Sequence, residues 1–68
     1  MSHRVETSAG KFIIYMGSES DHTESHNSLE WYYAPEGWTG EAYSKGYYSP
    51  EAAEEACWEN SGKRAGDG

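Results

Sequence analysis

The chain has 68 residues, enough for one small domain, and a domain of this size buries only about 60% of the surface that its unfolded chain exposes. Twelve acidic residues against five basic ones give a formal net charge of −7, and residues 17–59 carry ten acids and one base, a net charge of −9. A negative field repels nucleic acids and anionic membranes and attracts basic surfaces, so direct binding to nucleic acid or membrane is not expected.

The apolar residues are few but rich in aromatic rings. Six tyrosines and three tryptophans accompany a short set of aliphatic and phenylalanine side chains: Val5, Phe12, Ile13, Ile14 and Leu29. Aromatic residues bury a large area each, so this composition predicts a folded domain with an aromatic core and some rings left over for a partner.

Cysteine content and hydropathy indicate the compartment. Cys57 is the single cysteine, which excludes an internal disulfide and favours a reducing environment. No apolar run approaches the roughly 20 residues of a membrane span, and the first ten residues lack the apolar core of a signal peptide. We therefore expect a cytoplasmic protein without a membrane segment.

The N-terminal half predicts one strand and one loop. Residues 1–10 are small and polar, and they predict a flexible lead-in with at most a short strand around Val5. KFIIYMG, residues 11–17, has five consecutive apolar residues closed by Gly17 and predicts a buried strand. Residues 18–27 are acidic and without periodicity, which indicates a surface loop.

A second strand, a turn and a third strand are predicted next. SLEWYYA, residues 28–34, alternates as a half-buried strand does, with Leu29, Trp31 and Tyr33 on one side and Glu30 and Tyr32 on the other. In the A-P-E-G that follows, Pro35 suits the second position of a turn and Gly37 can follow within it. WTGEAYS, residues 38–44, would then be the third strand, with Gly40 as its weak point.

A helix is predicted to begin at Pro50. Ser49 can cap it, and proline fits the first helical position because its missing N–H is not needed there. Gly62 is the predicted end. Small residues fall on one side at helical spacing: Ala52, Ala53, Ala56, Cys57 and Asn60.

The predicted fold is therefore α+β. About three antiparallel strands precede one C-terminal helix in β-β-β-α order, with the helix packed on one face of the sheet. The domain is predicted at residues 11–62, between flexible segments at 1–10 and 63–68.

The acidic helix is the first candidate binding surface. Like charges at i, i+4 spacing destabilise a helix by a few tenths of a kcal/mol per pair, so the set Glu51, Glu54, Glu55 and Glu59 is either a docking patch for Lys/Arg or an ordinary solvated face. Trp58 is predicted near these carboxylates, as an interface anchor or as a ring folded over the helix edge onto the tail or first strand. The acidic loop offers a second contact: Glu19, Asp21 and Glu24.

Metal binding and catalysis have weaker support. His22 and His26 lie four residues apart beside Asp21 and Glu24, but tight zinc sites favour cysteine pairs and the chain has one cysteine, so no metal or other cofactor is expected. Cys57 falls on the predicted buried face, where a thiol keeps a high pKa and stays inert. No nucleotide-binding or hydrolase motif occurs. We expect a protein that is not an enzyme.

The sequence thus favours a small acidic binding protein that docks on a basic surface of another protein, such as a nucleic-acid-binding surface. A phage-type inhibitor of a host nuclease or defence complex has this size and charge, and its carboxylates would mimic nucleic-acid phosphates. The alternative is a self-associating assembly module whose acidity serves solubility only. Tyr32 is predicted on the sheet face opposite Trp31, and one of Tyr47 or Tyr48 is predicted to point outward. These rings would form either a packing patch on the second face of the sheet or a homodimer contact.

Overall fold

The computed structural model describes residues 2–61, which form three strands followed by one α-helix. Strand β1 is His3–Thr7, β2 is Gly10–Met16, β3 is Trp31–Pro35 and helix α1 is Pro50–Ser61. The strands are antiparallel in the order β1-β2-β3, and α1 packs on one face of the sheet. The predicted α+β class and β-β-β-α order are confirmed. Gly62 and residues 63–68 lie outside the described residues.

The N-terminal segment joins the sheet as its edge strand, β1, so the sheet begins earlier than predicted. Val5 pairs with Phe12, and Thr7 pairs with Gly10. Val5 and Thr7 are buried and alternate with exposed neighbours, as a half-buried strand requires. The Thr7 hydroxyl accepts a hydrogen bond from the Ala9 N–H at 3.0 Å and donates one to the Gly10 carbonyl at 2.9 Å, which closes the turn into β2.

The turn after β3 lies one residue later than predicted. The Trp38 N–H donates to the Pro35 carbonyl at 2.9 Å, so Pro35 is the first residue of the turn and not the second. Gly37 takes the third position with a φ of +87°. A positive φ at that position is the geometry of a type II turn, and glycine adopts it without strain.

The predicted third strand, WTGEAYS, is irregular instead of extended, so this prediction is wrong. Gly40 has a φ of +126°, which interrupts a strand conformation. The segment still runs beside β3, where the Ser44 hydroxyl accepts a hydrogen bond from the Tyr33 N–H at 3.0 Å and Tyr47 forms an isolated bridge with Trp31. Within residues 2–61 the third strand of the sheet is β1, not this segment.

One core lies between the sheet and the helix. Ala53, Ala56 and Cys57 form the buried side of α1, and their small size lets the helix approach the sheet closely. Ala52 is partly buried and Asn60 exposed, so the predicted small-residue face is confirmed for its centre. The sheet contributes large side chains to this core: Val5, Phe12, Ile14 and Tyr33.

A second core lies on the opposite face of the sheet. Tyr15, Tyr32 and Ala34 are buried there, under the acidic loop and the segment that follows β3. Strand β3 is therefore buried on both faces, whereas a half-buried strand was predicted. Leu29, predicted to share the inner face with Trp31, precedes the strand and is 80% exposed.

The helix begins as predicted. The Ser49 hydroxyl accepts a hydrogen bond from the Ala52 N–H at 3.1 Å, and Pro50 is the first helical residue. In the described part of the chain no helix combines the length and the apolar character of a membrane span.

Candidate binding surfaces

Three of the four helix glutamates form an exposed carboxylate row: Glu51, Glu55 and Glu59. They are spaced one turn apart, so the row extends over roughly 12 Å of helix. Within residues 2–61 no Lys or Arg side chain forms an ion pair with any of them. The carboxylates of the row therefore repel one another without a counter-charge from the described chain.

The fourth helix glutamate, Glu54, contacts other side chains of the same domain. Its carboxylate is 2.9 Å from the His3 ring Nε2 and accepts a hydrogen bond from the Trp58 indole N–H at 3.3 Å. Glu54 thereby links the edge strand β1 to α1. Its structural contacts distinguish it from the three members of the carboxylate row.

Trp58 is partly buried and packs against the helix-side core, so it is not the exposed anchor that one interpretation predicted. The interpretation in which the ring folds over the helix edge matches this position. The exposed ring beside the helix is Tyr48, which precedes the cap residue Ser49 and is 88% exposed. Of the Tyr47 and Tyr48 pair, Tyr48 is thus the residue that points outward, and Tyr47 packs against the core.

A cleft of about 430 Å³, here called the helix-side cleft, opens next to the carboxylate row. Trp31 and Pro50 give it apolar walls, and Glu51, Glu54 and His3 bring polar groups to it. Sequence reasoning missed His3 and Trp31 here, because only the antiparallel register brings β1 and β3 to the start of the helix.

The acidic loop lies on the other side of the sheet. Its His26 is hydrogen-bonded to Tyr15, and the Asn27 N–H donates to the Tyr32 hydroxyl at 2.6 Å. Both tyrosines belong to the face that does not carry the helix. The loop carboxylates Glu19, Asp21 and Glu24 are exposed, but the sheet separates them from the carboxylate row. The two acidic sets predicted as contacts for one partner are thus two separate surfaces.

A second cleft, of about 450 Å³, lies between this loop and the segment that follows β3, and is here called the loop-side cleft. Ile13 and Ala34 of the sheet and Trp38 give it an apolar wall, and Glu19 and Asp21 line its acidic side. Trp38 was assigned to a strand from the sequence, so its place in a cleft was not predicted. The signal available in the sequence was a tryptophan between two glycines, Gly37 and Gly40.

The two loop histidines lie in different surroundings. His26 is buried: its Nδ1 donates to the His22 carbonyl at 2.8 Å, and its Nε2 is hydrogen-bonded with the Tyr15 hydroxyl at 2.9 Å. His22 is exposed, with its Nδ1 3.8 Å from a Glu24 carboxylate oxygen. Among residues 2–61 no three His, Cys, Asp or Glu side chains are placed to hold a metal ion. His26 therefore serves to hold the loop on the sheet.

Cys57 is a buried free thiol, as the helical spacing predicted. Burial, with a smaller contribution from the nearby Glu54 carboxylate, raises the pKa of Cys57 from 9.0 to about 11. The thiolate is the reactive form of cysteine, so this side chain is protonated and unreactive at neutral pH. Neither His22 nor His26 is hydrogen-bonded to it, and no nucleophile and base pair involving Cys57 exists in the described chain.

No protein-family model matches the chain, and no curated protein or solved structure is significantly similar to it.

Proposed function

We propose that this protein is a small, acidic, non-enzymatic binding protein that docks its helix on a basic surface of another protein. The carboxylate row supports this proposal: Glu51, Glu55 and Glu59 are exposed, aligned and without a Lys or Arg partner in residues 2–61. Such an arrangement costs helix stability, and a partner's basic side chains would remove that cost.

The helix-side cleft adds a contact that charge alone would not supply. An arginine or lysine of the partner could lay its alkyl chain against Trp31 and Pro50 and place its charge beside Glu51. Tyr48, next to the same end of the helix, offers an exposed ring for the rim of the interface. Apolar contact and negative charge thus lie together at the N-terminal end of α1.

A nucleic-acid-binding surface is the partner class that fits best. Such surfaces present closely spaced Lys and Arg side chains that neutralise phosphates, and a row of carboxylates can take the place of those phosphates. The protein would act as an inhibitor by occupying the surface, as a phage-type protein does when it blocks a host nuclease or defence complex in the cytoplasm. Its affinity is expected to fall steeply with salt.

The test compares two triple variants with equal charge changes on opposite sides of the sheet. One carries glutamine at Glu51, Glu55 and Glu59, and its matched control removes the loop charges: Glu19→Gln, Asp21→Asn and Glu24→Gln. Each is used as bait in lysate of the source cell or its host, at low and moderate salt, and bound proteins are challenged with nucleic acid.

Retention of a nucleic-acid-binding protein by wild type and by the loop variant, with loss in the helix variant and release by nucleic acid, is the expected result. If the helix variant retains the same protein as wild type, docking through the helix is wrong. Loss in the loop variant alone would move the contact to the opposite side of the sheet.

Self-association is a second candidate, supported by two exposed apolar side chains. Leu29 is 80% exposed and Tyr48 is 88% exposed, and both lie within two residues of the bridge between Trp31 and Tyr47. A second copy could cover them, because large apolar side chains grouped on a surface often mark interfaces. Sedimentation at increasing concentration should then show a dimer that a Leu29→Ser, Tyr48→Ser double variant loses. A monomer at high concentration would exclude this function.

A further inference from the structure

We infer that the loop-side cleft binds the side chain of an arginine presented by a peptide. This site goes beyond the helix docking proposed above, because it lies on the opposite face of the sheet and shares none of the carboxylate row. Its volume of about 450 Å³ falls within the range of small-ligand clefts, roughly 300–1,000 Å³.

Trp38 gives the cleft a stacking surface that is already in place. Its side chain is 44% exposed, and its indole N–H donates to the Glu41 carbonyl at 2.9 Å. The Tyr43 ring meets it edge-on with centroids 5.1 Å apart. These two contacts orient the indole before any ligand arrives, so little conformational freedom remains to be lost on binding.

The acidic side of the cleft selects for a cation. The Glu19 carboxylate accepts a hydrogen bond from the Met16 N–H at 3.1 Å, which fixes its position, and Asp21 is exposed nearby. Among the residues that line the cleft His22 is the only nitrogen base, and no Lys or Arg is present. An anion would be repelled by this lining, and a wholly apolar ligand would desolvate the Asp21 carboxylate without offering it a hydrogen bond.

An arginine side chain matches both parts of the cleft. Its planar guanidinium stacks on an indole and forms two parallel hydrogen bonds with a carboxylate, whereas a lysine ammonium is a strongly hydrated point charge. Ile13 and Ala34 supply an apolar surface for the methylene chain. A bare metal ion fits less well, because no three metal-binding side chains meet anywhere in residues 2–61.

The experiment titrates the full chain, labelled with ¹⁵N, with three tripeptides: Gly-Arg-Gly, Gly-Lys-Gly and Gly-citrulline-Gly. Citrulline has nearly the same shape as arginine and no charge. The indole N–H signal of Trp38, assigned from a Trp38→Phe variant, reports binding. Asp21→Asn removes a carboxylate at an exposed position and so leaves the fold intact, and Glu55→Gln makes the same charge change on the other face.

We expect a saturable shift of the Trp38 signal with the arginine peptide, weaker by at least tenfold for citrulline and for Asp21→Asn and unchanged in Glu55→Gln. Equal binding of citrulline, equal weakening by Glu55→Gln, or a shift that does not saturate would each overturn the inference. Tighter binding of the lysine peptide would reject arginine as the ligand. Failure of helix docking would not alter any of these outcomes, since the Trp38 signal reports on the loop-side cleft and no residue of the carboxylate row lines that cleft.

Discussion

Gly17 is the residue at which backbone packing leaves no room for a side chain. It follows β2, and its N–H donates to the Glu30 carbonyl at 2.8 Å, which closes the base of the acidic loop. A Cβ at this position would overlap with the carbonyl group of Asn27 and touch the Tyr32 ring. The overlapping atoms are backbone, so they cannot move aside as a flexible side chain would.

Gly17→Ala is therefore expected to destabilise the domain by about 1–3 kcal/mol, the usual cost of overpacking a tight site. Urea unfolding followed by tryptophan fluorescence measures the change as a lower midpoint. Ser18→Ala, at the exposed neighbouring position, is the matched control and should leave the midpoint unchanged. Equal midpoints for the two variants would mean that the loop does not close against Gly17 as described.

Single residues were predictable from the sequence where spacing alone decided their position. The burial of Cys57 follows from helical periodicity, and the cap at Ser49 follows from the residue types at the start of the helix. Spacing did not decide where the Trp58 ring lies, because a long side chain at a helix edge can reach either the solvent or the core. Trp38 and His26 take their roles from contacts that are distant in sequence.

At the scale of elements, repulsion within the carboxylate row makes helix α1 less stable than the same helix would be without it. Glu55 lies one turn from both Glu51 and Glu59, so it takes part in two repulsive pairs. Glu55→Lys replaces both repulsions with attractions, and we expect it to stabilise the protein by about 0.5–1 kcal/mol at low salt. The gain should shrink at high salt, because exposed charges are screened.

The control for this change is Glu24→Lys, which alters the net charge equally at an exposed loop position. Thermal unfolding by circular dichroism at low and high salt compares the two variants. If both raise the melting temperature by the same amount, relief of overall net charge explains the effect and the row has no special repulsion. Under the proposed function, Glu55→Lys should stabilise the fold and weaken docking together.

Elements were predictable where a strong local signal existed. The apolar run in β2 and the capped start of α1 are of that kind, and both are present. Strand β1 carries one apolar residue, Val5, and its pairing depends on the long-range register with β2. WTGEAYS has a strand-like composition, but a positive φ at Gly40 and the placement of Trp38 on the wall of a cleft override it.

At the scale of the whole molecule, the sheet divides the acidic residues between two sides. Contacts of the loop with Tyr15 and Tyr32 decide this division, and no local pattern in the sequence encodes which face a loop covers. A flat partner surface can therefore meet the helix or the loop, but not both. The sequence shows which residues are acidic, but it did not predict that the sheet divides them between two surfaces.

Folding also raises the pKa of three groups buried in the two cores. Burial raises the pKa of Tyr15, with help from neighbouring Tyr32, and burial raises that of Tyr33 on the other face. The pKa of Cys57 rises from 9.0 to about 11 through burial and the Glu54 carboxylate. A raised pKa means that the folded state binds the proton more tightly than the unfolded state does. This tighter binding stabilises the fold fully at pH values below the unfolded pKa, and the stabilisation is lost as the pH rises toward the folded pKa.

We therefore expect the free energy of unfolding to be constant from pH 7 to about pH 9 and to fall above pH 9. Of these three groups, Cys57 is the one that ionises at the lowest pH in the unfolded chain. A rise in a thiol pKa from 9.0 to about 11 corresponds to a loss of roughly 2–3 kcal/mol across that interval. Above pH 10 the two tyrosines extend the loss.

Urea unfolding at half-unit pH steps measures this dependence of stability on pH. In Cys57→Ala, which is less stable than wild type at neutral pH because of the small cavity, the fall between pH 9 and pH 10 should disappear while the fall above pH 10 remains. A wild-type profile that is flat to pH 11, or an alanine variant with the wild-type slope, would show that Cys57 does not lie in the core between sheet and helix.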